Sequence, residues 1–64
     1  MVGLRIGKYL DDNGIKQSYL AEKVGIPQSQ MSYICKKGKR IDSVLYYKIC
    51  LALNVPFETF MEEN

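Results

Sequence analysis

The stretch that decides the fold is Gln17-Ser18-Tyr19-Leu20-Ala21-Glu22-Lys23-Val24-Gly25-Ile26-Pro27-Gln28-Ser29-Gln30-Met31-Ser32-Tyr33-Ile34-Cys35-Lys36. Leu20, Ala21 and Val24 share one helical face, and the run stops at Gly25-Ile26-Pro27 because the residue before a proline is driven out of helical geometry. Proline suits the first turn of a helix, where its missing N–H would have no partner, so a second helix starts at Pro27 or Gln28. Two helices joined by a turn of three or four residues containing glycine define a helix-turn-helix, whose second helix suits the major groove of DNA. Ala21 is small where the helices cross, and Leu20, Val24, Ile26, Met31 and Ile34 supply the apolar contacts that set the crossing.

At about 100° per residue, Gln28, Ser29, Ser32, Tyr33 and Lys36 fall within an arc of roughly 140°, while Met31, Ile34 and Cys35 fall on the opposite side. The outer arc is suited to base edges: glutamine can bond adenine N6 and N7 together, serine donates or accepts, and a tyrosine ring can meet a thymine methyl. The same pattern also describes an ordinary amphipathic helix with a polar solvent face. Lys36-Lys37-Gly38-Lys39-Arg40 follows at once, four cations in five residues that can grip phosphates or form a solvated loop.

Working outward, Val2, Ile6, Tyr9 and Leu10 mark a preceding helix that ends at Asn13-Gly14, with Asp11 and Asp12 placed unfavourably at the negative end of its dipole. Downstream, Asp42 or Ser43 can cap a fourth helix bearing Val44, Leu45, Ile49, Ala52 and Leu53, which ends at Asn54. Pro56 opens a fifth with Phe57, Phe60 and Met61. Short connections and the absence of strand-like alternation predict an all-α fold, a compact five-helix bundle with one core and one domain over residues 1–64.

Composition agrees. The chain has 64 residues, 47 % apolar and 25 % charged, which suits a folded domain. A chain of this length hides only roughly 60 % of its unfolded surface, so stability is marginal or shared with a partner. The net charge of +2 divides unevenly: eight basic and three acidic residues in 1–40, and one basic against four acidic in 41–64. The basic half is a candidate polyanion face. The longest uncharged apolar stretch, Ile49 to Val55, is too short for a membrane span and no hydrophobic leader precedes it, so a cytoplasmic location is expected. Cys35 and Cys50 lack metal-ligand spacing and there is no histidine. They are expected as reduced core residues, with a disulfide between them left open. No cofactor or small-molecule effector is implied, and without histidine, a base-paired cysteine or a glycine-rich phosphate loop, no enzymatic chemistry is expected.

From Gln17 to Ile26 with Met31 and Ile34, continuing through Lys48-Ile49, Ala52-Leu53-Asn54-Val55 and Phe57-Glu58-Thr59-Phe60-Met61, the chain resembles the Cro and phage-repressor-like family of helix-turn-helix regulators. The resemblance implies the lambda-repressor-like DNA-binding fold and double-stranded DNA as partner. It implies base reading by Gln28, Ser29 and Tyr33, with Ser32 on the same arc. Backbone contacts would come from Gln17 at a helix N-terminus, from Gln30 beside the groove wall, and from Lys36, Lys37, Lys39 and Arg40. Small members of the family pair two-fold, which implies a homodimer on a palindrome, with Val55, Pro56, Phe57 and Phe60 as the interface. An interaction module that binds another regulator through Tyr46, Tyr47, Phe57 and Phe60 is the alternative.

Three departures stand out. Leu10 and Cys35 occupy positions where many members pair an arginine with a glutamate, replacing an ion pair by an apolar one. Lys16 stands where helix two usually has a serine or threonine cap. Lys37-Gly38 moves the closing glycine one residue later than in the family's asparagine-glycine ending.

Overall fold

The computed structural model describes residues 2–38 and 41–61. Its elements are α1 (Val2–Asp12), α2 (Gln17–Val24), α3 (Gln28–Lys37), α4 (Ser43–Leu53) and a 3-10 turn, Phe57–Phe60. Each helix end falls where the punctuation placed it. Gly14, Gly25 and Gly38 adopt positive φ. Asn54, at φ 58°, ends α4 in the left-handed conformation that only asparagine and glycine adopt readily. Asp42 caps α4, its carboxylate accepting the Leu45 N–H at 2.7 Å. Asp12 has an exposed ion pair with Lys8 one turn back at 3.0 Å; nothing in the structure accounts for Asp11 at the negative end of α1.

The core draws on every element: Ile6 and Leu10 from α1, Leu20 and Ala21 from α2, Met31 from α3, Ile49 and Cys50 from α4, and Phe60 from the 3-10 turn. Helix α1 packs chiefly on α3, α2 on both α3 and α4, and the 3-10 turn on α1 and α4. Leu10 and Cys35 are both buried, so the apolar replacement of the family's ion pair sits inside the core. Gly7 lets α1 approach α3: a Cβ there would lie 2.8 Å from the Cys35 carbonyl oxygen and 3.0 Å from the Cys35 Cβ. Both cysteines are free thiols. Burial, and secondarily the charge of Asp11, raises the Cys35 pKa, and burial is the main cause of the rise at Cys50. Among the described residues no helix is long and apolar enough to cross a membrane.

The fifth helix is corrected to a single 3-10 turn. In an α-helical turn the Phe60 N–H would bond the Pro56 carbonyl and the Phe57 carbonyl would accept from Met61. Instead the buried Tyr46 hydroxyl donates to the Phe57 carbonyl and accepts the Phe60 N–H at 3.2 Å. The chain closes on i→i+3 bonds, Thr59 N–H to Pro56 O and Met61 N–H to Glu58 O. Edge-on ring contacts of Tyr46 with Phe57 and of Tyr9 with Phe60, centroids 4.7 and 5.5 Å apart, fasten the turn to the core.

Candidate nucleic-acid interface

The turn between α2 and α3 is set by Gly25, at φ 82° and ψ 33°. Its N–H and that of Ile26 both donate to the Ala21 carbonyl, at 2.9 and 3.1 Å. The chain then leaves the left-handed conformation, passes through extended Pro27 and enters α3. The bond pattern satisfies the carbonyls at the end of α2 while Leu20, Ala21 and Val24 bury against Met31 and the rest of the core. The crossing of the two helices is thus determined by buried apolar side chains, and the outer side of α3 is left for other work.

Met31, Ile34 and Cys35 are buried, and Gln28, Ser29, Gln30, Tyr33, Lys36 and Lys37 are exposed. The division of α3 follows the arcs derived from helical spacing, with one difference: Ser32 is half-buried. It lies on the arc between exposed Gln28 and Lys36, and helical spacing alone does not account for its partial burial. Gln17, at the first position of α2, is also half-buried. Lys39 and Arg40 lie outside the described residues.

Electrostatics favour an anion along this side. Neither α2 nor α3 has a side-chain cap or an acid in its first turn, so the first-turn amides of both keep their positive potential uncompensated. Lys16 at the α2 cap adds a cation there and makes no capping bond. Helix α3 contains no acidic residue and ends on Lys36 and Lys37.

A family profile described as the Cro/C1-type HTH DNA-binding domain matches residues 5–64. The chain belongs to this Cro/C1-type helix-turn-helix family. It is therefore a DNA-binding domain of the kind that serves transcription regulation, with double-stranded DNA as its partner. Comparison with curated proteins found no significant match.

In this Cro/C1-type domain the residues expected at the dimer surface part company. Phe60 is 2 % exposed and belongs to the core, so its ring cannot meet a second copy. Val55 is half-buried, and Pro56 and Phe57 are exposed. Tyr46 is buried as well, which removes two of the four aromatics on which the interaction-module reading drew, leaving Tyr47 and Phe57 at the surface. Sequence spacing did not reveal the close approach at Gly7, nor the outward apolar row on α4. Glycine four residues after Gly3 and the presence of apolar residues all round Ser43–Leu53 were the available signals.

Proposed function

We propose that this Cro/C1-type domain is a sequence-specific regulator, acting as a repressor that occupies a short palindromic operator as a homodimer with α3 in the major groove. The observation that carries the reading is the division of α3 into a buried side of Met31, Ile34 and Cys35 and an exposed side of Gln28, Ser29 and Tyr33 trailed by Lys36 and Lys37. Gln28 and Ser29, at the N-terminal end of α3, and Tyr33 one turn later read bases, with half-buried Ser32 on the same arc. Gln17, Gln30, Lys36 and Lys37 hold the backbone, with Lys39 and Arg40 continuing the cationic run in sequence. Gln17 does so at an uncapped helix start, a position that attracts phosphate.

Two copies on a palindrome would place their α3 helices about 34 Å apart, one turn of DNA. They meet through the exposed surface at Pro56 and Phe57, next to half-buried Val55 in the chain.

Selection of bound sequences from a random duplex pool tests this reading. A palindromic consensus is expected, and Gln28→Ala should relax preference at one operator position, lowering affinity for the consensus by about 1–3 kcal/mol. Recovery of no consensus, or a Gln28→Ala profile identical to the parent, would overturn the groove assignment.

A further inference from the structure

Where α1 crosses α3, the α1 side contributes no side chain to the contact. Gly7 is buried, and a Cβ built on it would lie 2.8 Å from the Cys35 carbonyl oxygen, 3.0 Å from the Cys35 Cβ and 3.3 Å from the Cys35 Cα. All three atoms are fixed by the backbone of α3 and none can rotate away. A single methyl group at position 7 is therefore accommodated only by moving α3 relative to α1. Taking that contact from 2.8 to 3.4 Å, where ordinary van der Waals contact begins, displaces the helix by about 0.6 Å. Leu10 and Cys35 are buried and bring no ion pair to this crossing, so its spacing is set by the contact of atoms.

The two ends of α3 do not respond alike. Its N-terminal end is tied to α2 through the turn at residues 25–27, where the Gly25 and Ile26 amides both bond the Ala21 carbonyl, and Met31 is fully buried one turn further on. Cys35 lies seven residues after Gln28, about 10 Å along the helix axis. A push at Cys35 tilts α3 about its N-terminal end, so Gln28 and Ser29 move least, Tyr33 more, and Lys36 and Lys37 most. Hydrogen bonds occupy a range of only about 2.7–3.2 Å, and binding groups have to be held to about half an ångström. The displacement imposed at Cys35 is of that size.

We infer that Gly7 is a positioning residue for the DNA-reading helix. By carrying no side chain it fixes the tilt of α3, and through it the register of Tyr33, Lys36 and Lys37 on the duplex relative to Gln28 and Ser29. Gly7 acts from the buried side of the domain and touches no base. This rests on the reading of α3 as the helix in the groove and is independent of how two copies pair.

Two measurements on Gly7→Ala test the inference, with Ile49→Val as the control. The control trims a fully buried side chain of α4, which also lowers stability, but adds no atom against α3. Each variant is studied well below its Tm, with folding verified by circular dichroism and sucrose added wherever folding is incomplete. Crystal structures of the parent and Gly7→Ala, superposed on α2 and α4, should show a displacement of α3 that grows from Gln28 to about half an ångström at Lys37. Selection from a random duplex pool should show relaxed preference at the position that Tyr33→Ala identifies, with the positions met by Gln28 and Ser29 retained. Affinity for the parent's half-site should fall about fivefold or more, with a shallower salt slope as Lys36 and Lys37 leave their phosphates. Ile49→Val should keep the parent's consensus and lie within about twofold of its affinity. An α3 unmoved in the variant structure overturns the inference, as does a displaced α3 with the parent's consensus and affinity. An equal loss in Ile49→Val overturns it too, since stability alone would then be read. Recovery of no consensus with the parent itself is a different failure: it removes the groove reading and the positioning role with it, while the two structures still decide the tilt.

Discussion

Gly7 is the point at which α1 meets the backbone of α3. A methyl group there would stand 2.8 Å from a carbonyl oxygen. In an open helix, glycine to alanine gains about 0.5–1 kcal/mol, while overpacking a tight contact costs about 1–3 kcal/mol. The second effect wins here, because the obstructing atoms are backbone and Cβ and cannot swing aside. Gly7→Ala should destabilise the domain by about 1–2 kcal/mol, lowering its Tm by about 4–8 °C for each kcal/mol. Cys35→Ala should give no rescue, since both obstructing atoms remain; a thermal melt of the single and double variants decides it. The apolar pair Leu10 and Cys35 was legible in the sequence as a replacement for an ion pair. The Gly7 approach was not, because it depends on how far apart two helices settle.

Among α2, α3 and α4, only α4 has a side-chain cap. Asp42 both accepts the Leu45 N–H and places a negative charge at the positive end of the dipole. Asp42→Ala should cost about 1 kcal/mol and Asp42→Asn markedly less, read as shifts in urea midpoint at unchanged slope. Helices α2 and α3 start without a side-chain cap, α2 behind the cation Lys16. The absence of caps leaves their amides for an external anion, so their starts gain most when phosphate is present. Helix limits were readable to within a residue because glycine, proline, asparagine and aspartate act locally. The 3-10 turn was not: Pro56 and the aromatic pattern mark a helical start, but its hydrogen bonding is decided by Tyr46, eleven residues before Phe57 in sequence.

At the scale of the whole molecule, the basic character of residues 1–40 and the acid-free α3 imply binding dominated by phosphate contacts. Affinity for the operator should fall steeply with salt, with a log–log slope of about −0.9 for each phosphate neutralised. Lys37→Ala should weaken all sequences alike and reduce that slope by roughly one, measured by fluorescence anisotropy over a salt series. A protein partner held by the apolar surface of α4 would show little slope. That contrast separates DNA binding from binding of a protein partner in a single titration set.

The sequence by itself determined the four α-helices, their ends, the helix-turn-helix between Gln17 and Lys36 and the outward side of α3, since all of these follow from short-range periodicity and from residues with local conformational preferences. Only the tertiary structure decided which apolar side chains are spent inside. Phe60 and Tyr46 could not be assigned to core or surface from spacing, because both lie in aromatic-rich segments whose docking depends on a hydroxyl reaching across the fold. The exposure of Val44, Tyr47 and Leu51 was equally hidden. A helix apolar on every side has no preferred inward face of its own, and the choice falls to whichever side its neighbours α2 and the 3-10 turn happen to cover.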